Sequence, residues 1–489
     1  MSEHPVITDH IDIAIIGAGF AGLAMARALQ RAGRSDFRVF EKADEVGGTW
    51  RDNTYPGAAC DVPSHLYSLS DAPNPDWSRL FPRQQEIQAY IKTLAAPVRA
   101  AGKLQTGWTL ARAHWDSEAS VWHIESTAGK RYRARVLVAA MGGLHVPAWP
   151  DLPGRDRFAG RAWHSARWPV AADLSGLKVG VIGTGASAVQ LVPALAEQAA
   201  ELHVFQRTPV WVMPRPDIAI SRFWQRAFAA LPPLRLALRG SIFLWLELAA
   251  SGLLHPRLAG WGRWLAGRHL RRQVADPDLR ARLTPAFPIG CKRVLVSSDF
   301  YPALQRANVQ LCDAAIERIE FDGVQLIDGR RIVLNALIYA TGFKPMAILD
   351  GVDIMGRDGR RLADDWRERP QAHLGISVAG YPNLFFLLGP NTALGHNSVL
   401  TMIEAQVRHV LLLLNETTRR GSLSVEPTAL AQHDFINGID QRFTGTAWAG
   451  GCRSWYLNAR GQNIALWIGS SLGYRWRTRR LREGEYQFR

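Results

Sequence analysis

The chain has 489 residues, 47% of them hydrophobic and 21% charged, a balance that suits a globular protein of two or three domains and excludes collagen, coiled coil or long disorder. The formal net charge is +15. Its arginines are scattered and no nucleic-acid-binding motif accompanies them, so the charge is read as serving anionic dinucleotides, not nucleic acid.

The N-terminus, Met1 to Pro5, has no basic stretch leading into a long apolar run, so no secretory signal is expected and a cytoplasmic location is. Cys60, Cys291, Cys312 and Cys452 stand far apart. No pair has CxxC spacing, so reduced thiols are expected, with no metal site and no redox disulfide.

The first predicted unit is an apolar strand, a glycine turn and a helix: Ile13-Ala-Ile-Ile-Gly17-Ala-Gly19-Phe-Ala-Gly22. Gly17 permits the turn, Gly19 lets the backbone approach a pyrophosphate, and Gly22 allows close helix–strand packing. The helix N-terminus then faces the phosphates. Val39-Phe40-Glu41-Lys42 ends the second strand, where Glu41 can accept hydrogen bonds from a ribose 2′-hydroxyl. A Gly- and Pro-rich loop follows, carrying Gly48, Thr49, Trp50, Tyr55 and Asp61. With Lys42, the positions Gly48, Thr49, Trp50 and Asp61 join the cofactor-binding candidates. Arg135–Gly143 reads as a buried strand closing this first part.

A second unit begins at Lys178-Val-Gly-Val-Ile-Gly183-Thr184-Gly185-Ala-Ser187-Ala188. Its second strand ends Val204-Phe205-Gln206-Arg207-Thr208, where the first ends Val-Phe-Glu-Lys. A carboxylate there repels a 2′-phosphate, whereas Arg207 binds one. The first site is therefore assigned to a 2′-hydroxyl nucleotide and the second to NADP(H). Two dinucleotide sites in one chain imply electron transfer, with NADPH feeding a flavin. Residues 217–283 read as a helical insertion whose Leu and Trp residues are expected in a core, and membrane contact is not expected. Leu334–Phe343 reads as the strand closing this unit, Asn383–Gly389 as a further strand, and 398–416 as a long helix.

Two sequence patterns resemble those of type I Baeyer–Villiger monooxygenases. Phe158, Gly160, His164, Trp168 and Pro169 form F-x-G-x-x-x-H-x-x-x-W-P between the two units. The loop reads Gly47-Gly48-x-Trp50-x4-Tyr55-Pro56-Gly57-x3-Asp61. The resemblance covers nearly the whole chain. It implies an α/β fold with two Rossmann-like domains, for FAD and for NADP. The first part of the FAD domain spans 1–149, the NADP domain with its insertion 150–345, and the second FAD part 346–489. It implies a ketone and O2 as substrates, with FAD at the first site, and esters or lactones formed through a C4a-peroxyflavin. The neighbouring reading is a flavin-containing monooxygenase of sulfides or amines.

The resemblance also assigns residues. Arg293, ending Phe287-Pro-Ile-Gly-Cys-Lys292-Arg293, corresponds to the catalytic arginine, a fixed cation for an anionic oxidant. Asp61 is its partner or lies on the nicotinamide side. Asn391 belongs to a loop beside the flavin ring, with His396 and Asn397 as pocket candidates, and Trp455 and Tyr456 line the substrate pocket. His164 and Trp168 are read as hinge-side elements, not as acid–base groups.

Overall fold

The computed structural model describes residues 9–249, 252, 259–345, 347–451 and 454–489. Two sheets organise the chain. The larger has eight strands, running Asp353–Met355, Leu110–Asp116, Val121–Ser126, Arg131–Ala139, Asp9–Ile16, Phe37–Phe40 and Leu104–Gln105, with Leu384–Phe386 also pairing Arg131–Ala139. Ile13 to Ile15 are fully buried, as expected of a central parallel strand covered on both faces. One face carries the helices Phe20–Arg31, Gln84–Ala100 and Val399–Arg419. The other packs aromatic residues, among them Trp108, Trp115 and Trp122.

The smaller sheet is parallel throughout: Val309–Cys312, Glu201–Phe205, Lys178–Ile182, Ala336–Tyr339 and Arg161–His164. Its strands are short and apolar, and the helix Ala186–Ala196 covers one face with Val189, Leu191, Val192 and Leu195. Two connections link the sheets and run antiparallel to each other. Pro147 pairs Phe343, the Ala148 N–H donates to the Gly342 carbonyl at 2.9 Å, and the Lys344 N–H donates to the Val146 carbonyl at 2.9 Å.

The insertion is helical, at Arg222–Ala230, Pro232–Ala249, Ala259–Gln273 and Pro277–Arg282. Its apolar residues meet the expectation of a core only in part: Leu270, Val274 and Leu283 are buried, and Ile242, Phe243 and Leu246 pack against the core of the larger unit. Helix Pro232–Ala249 has no buried residue, and Arg222–Ala230 buries Phe228 alone. The reason is orientation. Arg239 turns inward and donates to the carbonyls of His65 (2.9 Å) and Ser68 (2.8 Å), which leaves Leu236, Leu244 and Trp245 outside.

The thiols also depart from expectation. Cys60 and Cys312 are free and buried, but Cys291 is disulfide-bonded. Local spacing detects only neighbouring pairs, whereas folding brings distant cysteines within bonding reach.

Candidate active site

The site is built where the two units meet. In the first loop, a Cβ on Gly22 would sit 1.8 Å from the Gly17 carbonyl oxygen, so only glycine lets the helix start this close to the strand. Gly19 caps that helix and lies against Gly48, whose Cα is 3.9 Å from where a Gly19 Cβ would be. Two bare backbones beside a helix N-terminus make room for a pyrophosphate. Glu41 is buried at the end of its strand. It accepts from the Ala18 N–H at 2.8 Å and from Arg51 Nη1 at 2.8 Å. Each carboxylate oxygen accepts more than one hydrogen bond, so these contacts orient Glu41 and leave it able to take a hydroxyl. Sequence reasoning missed Arg51, a partner that only folding brings near. Lys42 is exposed. Thr49 and Trp50 open the short helix Thr49–Asp52, and the Trp50 indole N–H donates to the Tyr67 hydroxyl at 3.0 Å.

In the second loop, Gly183 and Thr184 lead to Gly185, the cap of helix Ala186–Ala196, with Ser187 in its first turn and Ala188 buried beneath. Nothing lies within 4 Å of where a Gly185 Cβ would project, so that helix end is open. The Thr184 hydroxyl donates to the Thr208 carbonyl at 3.1 Å, tying the loop to the next strand end. Gln206 takes the position of the first unit's carboxylate, but its amide is buried and donates to the Arg282 carbonyl at 2.9 Å. Arg207 is exposed beside it. Burial, and then the charge of Arg207, lower the Lys292 pKa. Among the described residues neither Arg207 nor Lys292 forms an ion pair, and the charge acting on Lys292 is that of Arg207. Two neighbouring unneutralised cations suit a phosphate.

The loop from Tyr55 to Asp61 crosses from one unit to the other. The Tyr55 hydroxyl donates to Gln190 Oε1 at 2.9 Å, and the Gln190 amide donates to the Ala59 carbonyl at 2.9 Å. Gly57, with φ +83°, lies so close that a Cβ would sit 2.4 Å from the Gln190 carbonyl oxygen. This docking delivers Asp61 to Arg293. Asp61 Oδ2 accepts from Arg293 Nε at 2.9 Å and from Nη2 at 2.5 Å. The neighbouring carboxylate raises the guanidinium pKa against the effect of burial, so the cation is permanent. Tyr456 arrives from the C-terminal part. It is buried, and its hydroxyl has no hydrogen-bond partner among the described residues. Burial pushes its pKa up to about 12; the charge of Arg293 opposes this and that of Asp61 adds to it. The Trp455 ring lies 4.5 Å from that of Tyr456.

The remaining predicted residues fall into two groups. Phe158 and Gly160 precede the edge strand Arg161–His164. His164 is buried at the paired connections, with Trp149 at 5.6 Å and Phe343 at 5.8 Å between ring centroids. Burial takes its pKa down to about 4, and its Nδ1 accepts from the Ala166 N–H. Trp168 packs edge-on against Trp163, and Pro169 is exposed. Asn391 is fully buried. Its side-chain N–H donates to the Asn463 carbonyl at 3.0 Å, and its Oδ1 has no partner. Asn397 does not stand free for a ligand, and His396 lies beside the same carboxylate with its Nδ1 unpartnered among the described residues. Both face Glu247 of the insertion, at 3.3 Å and 2.7 Å. Burial works against the charge of Glu247, but hydrogen bonds from His396, Ser471 and Asn397 take its pKa down to about 2.

Comparison with known proteins adds to this geometry. A family profile for the NAD(P)-binding Rossmann-like domain matches residues 15–83. The chain is 42% identical to a protein from Pseudomonas aeruginosa named Baeyer-Villiger monooxygenase, over 99% of this chain and 92% of that one. A second protein of the same name, from Streptomyces coelicolor, is 41% identical over 100% of this chain and 94% of its own length. Among solved structures, OTEMO in complex with FAD and NADP is 28% identical, with a TM-score of 0.88 over 98% of this chain and 99% of that one.

Proposed function

The chain belongs to the Baeyer–Villiger monooxygenases, and from that premise we propose how its residues divide the work. It is a flavoprotein monooxygenase that binds FAD and uses NADPH as electron donor. Its substrates are O2 and a ketone, converted to an ester or lactone. Bound at the two loops, FAD supplies the oxygenating chemistry and NADPH the hydride that drives it.

FAD is held at the first loop by Gly17, Gly19, Gly22, Gly48, Thr49 and Trp50, with Glu41 for its ribose. The unpartnered Oδ1 of buried Asn391 supports a role beside the flavin ring. NADP(H) is held by Gly183, Thr184, Gly185, Ser187 and Thr208, with Arg207 and Lys292 sharing its 2′-phosphate. Arg293 is a cation at every working pH and stabilises the negative charge that develops while oxygen is transferred to the carbonyl. Asp61 fixes its direction. Tyr456 stays a neutral phenol, a hydrogen-bond donor beside Arg293, and Trp455 shapes the pocket for an apolar ketone. His164 and Trp168 act on the hinge between the domains, which bound at 1–149, 150–345 and 346–489.

The Asp61–Arg293 pair carries this reading, because it holds a permanent cation between residues of the two units. The test is turnover of the purified yellow protein on linear, cyclic and aryl ketones. Ester formation should match NADPH consumption for at least one ketone. Oxidation of sulfides or amines, with no ester from any ketone, would contradict the reading.

A further inference from the structure

The outward face of the helical insertion has the wrong chemistry for water. Helix Pro232–Ala249 turns its charged side chains inward. Arg239 caps the carbonyls of His65 and Ser68, and Glu247 receives a hydrogen bond from Asn397 at 2.7 Å. Ile242, Phe243 and Leu246 share that inner stripe and pack on the core of the larger unit. Every exposed residue of this helix is uncharged. Leu236, Leu244 and Trp245 stand 61%, 57% and 61% exposed. A helix facing water has the opposite polarity.

The helix packed against it, Arg222–Ala230, continues the pattern, and the separate helix Ala259–Gln273 repeats it. Phe223 and Trp224 are exposed on Arg222–Ala230, and Trp261 and Trp264 on Ala259–Gln273. Arg268 lies over the Trp264 ring at 5.3 Å. Tryptophan beside arginine is the composition of a membrane–water boundary, where indoles sit among headgroups and guanidinium groups stay in the polar layer. The insertion, residues 217–283, contains eleven arginines and four acidic residues; on the two helices that meet at the apolar face, Arg222 and Arg226 are exposed and the one acidic residue, Glu247, is turned inward.

We propose that this face seats on the surface of an anionic phospholipid bilayer. Charge selects that occupant. A second copy of the same face would set exposed Arg222 and Arg226 against their own counterparts, whereas anionic headgroups neutralise them directly. The seating is on the surface, not across it. No single described helix is long and apolar enough to span, and Arg222–Ala230 meets Pro232–Ala249 at 107°. Two short apolar arms at that angle lie along an interface. This replaces the expectation from sequence, which placed these side chains in a core.

The test is flotation of the full-length, FAD-loaded protein with vesicles of phosphatidylcholine containing about 30% phosphatidylglycerol, against phosphatidylcholine alone. The protein should float with the anionic vesicles and much less with the neutral ones. The variant L236S/L244S/W245S should lose at least about tenfold in binding while keeping its flavin content and ketone turnover, because these side chains pack on nothing inside. A second variant, Arg222→Gln with Arg226→Gln, should weaken anionic binding by about fivefold per charge and leave neutral binding unchanged. Three results would each overturn the proposal. One is no flotation with anionic vesicles. Another is equal flotation with neutral ones. The last is a dimer that binds no vesicle and that the serine variant turns into a monomer, which would give the face to a second copy.

Discussion

Arg207 and Lys292 show how much a single residue type decides. The strand ends Val-Phe-Glu-Lys and Val-Phe-Gln-Arg differ by the loss of one carboxylate and a change of cation. That difference is legible without a structure. The convergence of Lys292 on Arg207 is not, because the two are far apart in the chain and meet only through tertiary folding. In the proposed NADP site, replacing Arg207 with alanine would remove one charge-assisted contact to the 2′-phosphate. The KM for NADPH should rise by roughly 10- to 100-fold, from about 1.5–3 kcal/mol, while the KM for NADH hardly changes. Steady-state kinetics with both nucleotides measures this, and equal effects on the two would remove Arg207 from the phosphate site. The family resemblance assigns Tyr456 to the substrate pocket. Its burial and its unpartnered hydroxyl beside Arg293 needed the fold.

At the scale of elements, the loop from Tyr55 to Asp61 matters most. Its glycines and proline predict a loop, but not that it docks on the helix of the other unit through Gln190. Gly57→Ala would put a methyl group into the Gln190 carbonyl at a backbone angle that side chains disfavour. It should destabilise the protein by about 1–3 kcal/mol and loosen Asp61 from Arg293. The checks are thermal denaturation and the ester formed per NADPH, both of which should fall; an unchanged ratio would separate the loop from the chemistry. The insertion is the contrasting element. Leucine-rich periodicity announces helices, but which face turns inward depends on partners such as the His65 and Ser68 carbonyls, which no local pattern names.

The whole molecule was the most legible level, because each nucleotide-binding unit is a local strand–turn–helix and the two repeat within one chain. The paired connections at Pro147 and Phe343, and the burial of His164 beside them, are long-range facts. Burial also gives the fold an acid limit. Burial lowers the pKa of His65, His164 and His409 from 6.5 to about 4. The unfolded chain takes up these protons first. Stability from these groups is therefore complete above about pH 6.5 and lost as pH falls towards 4. The Tm should decline through that window, and a flat Tm would contradict the assignment.

The central claim is that the guanidinium of Arg293, aimed by Asp61, secures oxygen transfer to the ketone. Arg293→Ala tests it most directly, in FAD-loaded protein with ester, hydrogen peroxide and NADPH all quantified. The account predicts continued NADPH consumption, hydrogen peroxide in place of ester, and an ester yield per NADPH near zero. An ester yield equal to that of the parent protein would contradict it.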